Sequence, residues 1–174
     1  MVVAFTGAGI SKESGIPTFE DMGDLRTKLS RSFADEYPDE FDEIIEYMTN
    51  VCAKANPNDA HIALAEYNIP VITMNVDGLH QRAGSKNVIA LHGSLPDDIV
   101  LYGDMAPEYI KAYKLIERLQ PDDVLLVIGA STYTNVANDI RILARQQGAH
   151  VIEVQDNAST KVRSILQSIQ NRIT

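Results

Sequence analysis

The chain has a single cysteine, Cys52, among its 174 residues. An internal disulfide is therefore excluded, and we expect an intracellular, cytoplasmic protein. Long hydrophobic runs are also missing, since apolar runs such as residues 124–128 and 69–72 are far shorter than the ~20 residues that cross a membrane. The first residues lack the basic flank and the small-residue cleavage site of a signal peptide. We expect a soluble protein with no membrane partner.

Positive charge is scarce, because 15 Lys and Arg residues stand against 24 Asp and Glu residues and the formal net charge is -9. This balance argues against a nucleic-acid partner, which would bind to a basic stripe. Much of the acidic charge lies in residues 35–43. Such a run can steer Lys-rich peptides toward the protein, but a solvated helix face is the simpler interpretation.

The chain does contain a series of short apolar runs separated by stretches with helical spacing. Near-continuous Val, Ile and Leu runs are typical of strands buried on both faces of a parallel sheet. The predicted strands are residues 2–6, 69–73, 87–91, 99–101, 124–128 and 149–154, and helical spacing covers 107–119 and 138–147. We therefore predict an α/β fold with a doubly wound, Rossmann-like parallel sheet in one domain, residues 1–174.

The interval of about 20–67 interrupts this alternation because it contains no convincing strand. It is predicted to be a small helical insertion. Asn56 and Pro57 are predicted to cap and start a short amphipathic helix in it. His61 lies on that helix, and we interpret it as a packing or capping residue rather than a ligand.

The first motif that carries chemistry follows the first predicted strand. The sequence Gly-Ala-Gly-Ile-Ser at residues 7–11 allows a pyrophosphate to approach the backbone closely at the start of a helix. Lys12 occupies the third glycine position of the ordinary dinucleotide fingerprint. Taken alone, the motif fits a tight strand-to-helix turn equally well.

Two further predicted strands end in polar side chains. Asn75 and Asp77 follow residues 69–73, and an amide with a carboxylate can hold a carboxamide and position a hydroxyl or a water. An Asx turn is the alternative. His92 follows residues 87–91, where it is either a general base with a pKa near ~6.5 or a satisfied core residue.

Three segments, residues 6–11, 14–19 and 73–85, resemble the sirtuin family of NAD-consuming deacylases. In that family a four-cysteine zinc module normally lies where this chain has only Ser94 and Leu95 before Pro96. We predict no metal, because the one cysteine and the four histidines do not have the spacing of structural zinc ligands.

The resemblance implies NAD as cofactor, an acyl-lysine protein or peptide as partner, and a role for individual residues. By this resemblance, His92 is the general base for the ribose hydroxyls and Asn75 orients the reacting ribose. Asp77 and Val76 bind the nicotinamide carboxamide. The implied catalytic residues are His92, Asn75 and Asp77. The implied NAD-binding residues are Gly7, Ala8, Gly9, Ser11, Phe19, Glu20, Met74, Asn75, Val76, Asp77, His92, Gly129, Ala130, Ser131, Gln155 and Asp156. The implied peptide-binding residues are Leu101, Tyr102 and Gly103.

The chain departs from the family at three of these positions. Glu20 stands where sirtuins usually have Arg, and it reverses a charge beside the phosphates. Met74 replaces the usual Gln and removes an amide from the cofactor wall. Gln155 stands where the family usually has Asn.

The resemblance implies an NAD-dependent protein lysine deacylase that releases nicotinamide and O-acyl-ADP-ribose. Two alternatives stay open. Without the zinc module the cleft is expected to be wider and wetter, which favours NAD hydrolysis or ADP-ribosyl transfer at the same site. Glu20 and Met74 instead support a non-catalytic NAD or ADP-ribose sensor, although His92 argues against it because a binder needs no base.

Overall fold

The computed structural model describes residues 1–18, 21–132 and 134–173. Its strands are β1 (Val2–Thr6), β2 (Val71–Thr73), β3 (Val88–Ala90), β4 (Val124–Ile128) and β5 (His150–Val154). They form one parallel sheet in the order β3-β2-β1-β4-β5. The predicted doubly wound parallel sheet is therefore confirmed.

Helices cover both faces of this sheet. They are α1 (Gly9–Lys12), α2 (Leu25–Lys28), α3 (Arg31–Glu36), α4 (Pro38–Lys54), α5 (Asp59–Glu66), α6 (Leu79–Arg82), α7 (Glu108–Ile116), α8 (Asn135–Gln146) and α9 (Ala158–Ile173). Helices α2 to α5 form the predicted helical insertion between β1 and β2. No helix of the described residues is long and apolar enough to cross a membrane.

The alternation of side chains along β1 builds two hydrophobic cores. Val3 and Phe5 are fully buried in the core that includes residues of α7 and α8, whereas Ala4 is fully buried in the core that includes residues of α5 and α9. Successive strand residues point to opposite faces, so a strand between two helical layers must be apolar throughout. This explains the unbroken apolar runs of β1 and β4.

The strand order determines where a ligand binds. From β1 the chain builds outward to β2 and β3, then crosses to β4 and β5 on the other side of β1. In such a sheet the connections from β1 and β4 run in opposite directions, and they leave a crevice at the carboxyl ends of these two strands.

Two local predictions were wrong. Residues 99–101 are not a strand of the sheet, and the neighbouring Tyr102 makes only an isolated parallel bridge with Ser30. Asn56 and Pro57 do not start α5, because Asn58 is its N-cap and accepts a hydrogen bond from the Ala60 N–H at 3.0 Å.

The capping interpretation of His61 is confirmed. Its Nδ1 accepts a hydrogen bond from the Asn58 N–H at 3.3 Å, so the histidine satisfies a backbone donor at the start of α5.

Candidate active site

A cavity of about 840 Å³ lies at the carboxyl ends of the strands. This volume is typical of small-molecule sites, which span ~300–1,000 Å³. Each strand of the sheet is followed by residues that line it: Ala8 and Gly9 after β1, residues 74–76 after β2, His92 after β3, Gly129 and Ser131 after β4, and Gln155 after β5.

Three glycines bring the loops after β1 and β4 into direct backbone contact. The Gly9 N–H donates to the Gly129 carbonyl at 2.9 Å, and the Gly7 N–H donates to the Ile128 carbonyl at 3.0 Å. A Cβ on Gly9 would lie 2.6 Å from the Gly129 Cα, and one on Gly129 would lie 2.3 Å from the backbone N of Ile10. Glycine is therefore required here for close packing, and the Gly7 and Gly9 N–H groups are already used within the fold.

Asn75, Ser11 and Asp77 form a hydrogen-bonded cluster beside the cavity. The Asn75 Nδ2 donates to the Gly7 carbonyl at 3.1 Å and to the Ser11 Oγ at 3.3 Å. The Ser11 hydroxyl donates to Asp77 Oδ2 at 2.6 Å, and Asp77 Oδ1 accepts the Leu79 N–H at 2.9 Å. Because both amide hydrogens of Asn75 are engaged, its Oδ1 is the side-chain atom left for a ligand.

Beneath this cluster lie two buried histidines, His61 and His80, whose rings are 4.9 Å apart. Burial lowers the pKa of His61 to about 4 and that of His80 to about 3, so both are neutral at pH 7.

Their hydrogen bonds define the tautomers. The Thr6 hydroxyl donates to Thr73 Oγ1 at 2.8 Å, so the His80 Nε2 must donate to Thr6 at 2.9 Å. The Nδ1 of His61 is an acceptor, so its Nε2 donates toward the Ser11 Oγ at 3.4 Å.

His92 is partly buried and lines the cavity. Its ring packs edge-on against Tyr109, with 5.9 Å between centroids. Burial lowers the pKa of His92 below its usual value, so the ring is neutral at pH 7. Neither ring nitrogen has a hydrogen-bond partner among the described residues, so an imidazole nitrogen is free to accept a proton from a bound molecule.

The opposite wall of the cavity is formed by residues 99–104. The Tyr102 N–H donates to the Leu29 carbonyl at 3.2 Å, and the Arg31 N–H donates to the Tyr102 carbonyl at 2.9 Å. The Arg31 guanidinium also makes a bidentate ion pair with Asp104, at 2.8 and 2.9 Å. The wall is thus fastened to the helical insertion.

Comparison with known proteins identifies this arrangement. The family model described as "Sir2 family" matches residues 7–97. A relative from Caldanaerobacter subterraneus subsp. tengcongensis, named NAD-dependent protein deacylase 1, is 35% identical, and the alignment covers 88% of this chain and 81% of the relative. The chain belongs to the Sir2 family. The resemblance to sirtuins is thereby confirmed.

Further Sir2 relatives agree with this assignment. The NAD-dependent protein deacetylase of Bacillus cereus is 33% identical, and the alignment covers 99% of this chain and 89% of the relative. That alignment runs over 220 residues, whereas the chain has 174, so the relative carries sequence without a counterpart here.

Solved Sir2 structures match the fold closely. A Sir2 homologue in complex with NAD superimposes with a TM-score of 0.86 at 25% identity, covering 99% of this chain and 90% of that one. A Sir2 protein in complex with an inhibitor, 2'-O-acetyl-ADP-ribose and a deacetylated p53 peptide gives a TM-score of 0.79 at 26% identity, covering 99% and 93%.

Most site residues predicted from the Sir2 resemblance converge on the one cavity. Those that line it are Ala8, Gly9, Met74, Asn75, Val76, His92, Leu101, Tyr102, Gly103, Gly129, Ser131 and Gln155. Those that do not line it are Gly7, Ser11, Asp77, Ala130 and Asp156. Phe19 and Glu20 lie outside the described residues.

The predicted residues that miss the cavity have visible reasons. Gly7 packs against the loop after β4, Ala130 is fully buried, and the Asp156 carboxylate pairs with Lys161 at 2.6 Å. Ser11 and Asp77 bond to each other and lie behind Asn75.

Other lining residues were not predicted for this Sir2 site. They are Lys12, Thr18, Arg26, Leu29, Ile99, Val100, Asp104, Ala106, Tyr109 and Thr134. Most come from the helical insertion and from the segment before and within α7, where no sequence pattern marks a site. Thr134 contacts Met74 directly, because its hydroxyl donates to the Met74 sulfur at 3.7 Å.

Within the described ranges 1–18, 21–132 and 134–173, no three His, Cys, Asp or Glu side chains are grouped so that they could hold a metal ion.

Proposed function

We propose that this Sir2-family chain is an NAD-dependent protein lysine deacylase that acts in the cavity at the carboxyl ends of its strands. The observation that carries the proposal is the position of His92: a neutral imidazole, free of partners among the described residues, shares one cavity with the Asn75 amide and the wall at residues 101–103. The deacylase names of its relatives support this activity.

The residues present fit NAD. Asn75 Oδ1 and Ser131 offer hydrogen-bonding groups, Met74 and Val76 form an apolar wall, and Lys12 and Arg26 supply positive charge for the phosphates. When bound, NAD supplies a ribose carbon from which nicotinamide leaves.

Asn75 and Asp77 have different tasks in this proposal. Asn75 presents its Oδ1 to the reacting ribose, while Asp77 acts through Ser11, whose hydroxyl it holds and which in turn fixes the Asn75 amide. The family resemblance implies that Asp77 holds the nicotinamide carboxamide. In this proposal Asp77 is instead a positioning residue.

His92 is proposed to take a proton from a ribose hydroxyl. Its lowered pKa keeps it unprotonated at neutral pH, and a neutral imidazole is the form that accepts a proton. The Tyr109 ring packs against the imidazole in a T-shaped arrangement and limits its orientation.

The acyl-lysine peptide is proposed to lie along Leu101, Tyr102 and Gly103. The backbone of Tyr102 is already bonded to Leu29 and Arg31, so the peptide cannot add a strand on that edge while this bridge is closed. We therefore place the peptide against the side of this segment that faces the cavity.

NAD hydrolysis at the same site is a second candidate. The rim is exposed, with Tyr102 and Met105 accessible over 87% and 89% of their surface. An open rim admits water, which competes with the acyl-lysine oxygen for the ribose carbon.

Mass spectrometry of NAD incubated with the protein, with and without an acetyl-lysine peptide, separates these activities. A deacylase yields acetyl-ADP-ribose and the deacetylated peptide, and it does so only when the acetyl-lysine peptide is present. Free ADP-ribose without the peptide indicates hydrolysis, an ADP-ribosylated peptide indicates transfer, and unchanged NAD in both samples contradicts the proposal.

A further inference from the structure

Three large apolar side chains lie exposed beside the cavity within nine residues of the sequence. Tyr102, Met105 and Ile110 are 87%, 89% and 61% exposed. Tyr102 also lines the cavity, and so do Ala106 and Tyr109, which lie between the other two in the sequence. The three exposed side chains thus form an apolar platform at the mouth of the cavity, where an acyl-lysine has to enter.

A fixed turn presents the platform to the solvent. The turn begins at Leu101 and ends at Asp104, whose N–H donates to the Leu101 carbonyl at 3.0 Å. Gly103, its third residue, has a φ of +98°, which glycine adopts without strain. The Asp104 carboxylate accepts the Leu101 N–H at 3.0 Å and binds the Arg31 guanidinium at 2.8 and 2.9 Å. A ligand therefore meets Tyr102 on a preorganised surface.

Two ion pairs flank the platform. Besides Arg31 with Asp104, the Lys111 ammonium donates to the Glu108 carboxylate at 2.5 Å. The charges of these four groups are therefore directed at each other. Exposed apolar surface rimmed by polar groups marks interaction sites, and aromatic and methionine side chains are enriched in them. The platform is suited to an apolar group of a partner rather than to a charged one.

The position of the platform identifies that partner. An acyl-lysine whose acyl group reaches His92 brings the neighbouring residues of its own chain to the mouth of the cavity. An extended peptide rises ~3.3 Å per residue, so residues within two positions of the lysine stay within ~7 Å of it along the chain, and a residue four positions away lies ~13 Å along it. The nearest neighbours of the lysine are the ones that meet the platform.

We propose that the apolar platform makes this chain selective for acyl-lysines that have a large apolar residue within two positions in the sequence. A leucine, methionine or phenylalanine there covers Tyr102, Met105 or Ile110 and removes apolar surface from water on both molecules. A serine leaves the platform exposed. The inference rests on the proposed function, since it takes the cavity to be the place where an acyl-lysine reacts.

Steady-state kinetics with acetyl-lysine peptides of one length and one net charge tests the selectivity. One peptide has serine at every flanking position, and each of the others has leucine at one position, from four before the lysine to four after it. We expect leucine at one or more positions within two of the lysine to raise kcat/KM about tenfold over serine. The gain comes through KM, because the platform contacts the peptide equally before and during the reaction. Leucine four positions away should have no effect.

Met105→Ser and Ile110→Ser test the platform itself, at exposed positions where the fold does not depend on the side chain. Each is expected to reduce the preference for leucine about threefold, because part of the apolar contact is lost. Ile142→Ser is the matched control, because it removes an isoleucine that is 52% exposed on α8 and does not line the cavity. It should keep the full preference.

Equal kcat/KM for all peptides, or a preference for leucine that neither Met105→Ser nor Ile110→Ser reduces, overturns the inference while the proposed function stands. A wild type that sediments as a dimer and becomes a monomer in Met105→Ser also overturns it, because a second copy then covers the platform. A series in which no peptide is deacetylated contradicts the proposed function itself.

Discussion

The Ser11 hydroxyl and the Asp77 carboxylate are joined by a 2.6 Å hydrogen bond that links the loop after β1 to the loop after β2. Ser11 also receives hydrogen bonds from Asn75 and His61. One serine thus connects the buried histidines to the amide that faces the cavity, and it links the Asp77 carboxylate to that amide.

We expect Ser11→Ala and Asp77→Asn to reduce nicotinamide exchange by a similar factor, about tenfold, because each releases the Asn75 amide. Since both act on one network, the double variant should be no worse than either single variant. Exchange of labelled nicotinamide into NAD measures this. Losses that multiply in the double variant would show that Asp77 acts independently of Ser11.

His92→Ala is expected to lower acyl-lysine turnover by about 10²–10⁴-fold, the usual contribution of a general base. ADP-ribose affinity should change little, because the base acts after the cofactor is bound. Calorimetry and a deacylation assay measure the two effects, and His150→Ala, at an exposed histidine, is the control. Normal turnover in His92→Ala would remove this residue from the mechanism.

The pH dependence of kcat/KM follows from the burial of His92. A base works only when unprotonated, and the pKa of His92 is lowered, so activity should fall on the acidic side with a midpoint below ~6.5. Tyr109→Ala exposes the ring to water and should move this midpoint upward. A midpoint at or above 6.5 in the wild type, or one that Tyr109→Ala does not move, contradicts this assignment.

Stability should also depend on pH, through His61 and His80. Both are neutral in the folded protein, with pKa values of about 4 and about 3, and both take up a proton near ~6.5 when the chain unfolds. The unfolded state therefore binds more protons below pH 6.5, and each histidine lowers the free energy of unfolding by up to about 1.4 kcal/mol per pH unit from there toward pH 4.

Urea unfolding between pH 7.5 and 4.5 measures this loss. His80→Gln should flatten the slope from a lower starting stability, whereas His150→Gln, at the surface, should leave the slope unchanged. An equal slope in wild type and His80→Gln would assign the acid sensitivity to other groups.

Strands β1 and β4 could be predicted well from the sequence, because each is marked by its own run of apolar residues. Residues 2–5 of β1 and Val124–Ile128 are apolar because helices cover both faces of the sheet, and the observed bounds of both strands match the predicted ones. The capping role of His61 was also predictable, because it depends on a neighbour three residues away.

The remaining features depend on contacts between distant segments, and no local pattern reveals them. Residues 99–101 have the composition of a strand, but the segment contacts the helical insertion through Ser30 and stays outside the sheet. Asp77 has a carboxylate that could bind a ligand, but it accepts a hydrogen bond from Ser11, 66 positions away, and so is engaged within the protein. Tyr109 reaches His92 only because α7 packs across the end of β3.

The measurement that tests the central claim most directly is the ratio of nicotinamide released to peptide deacetylated, over a titration of acetyl-lysine peptide. For an NAD-dependent deacylase the two quantities are equal at every peptide concentration and vanish together when the peptide or NAD is omitted. Nicotinamide release that continues at the same rate without peptide, or release with no lysine freed, would contradict the assignment of this cavity to deacylation.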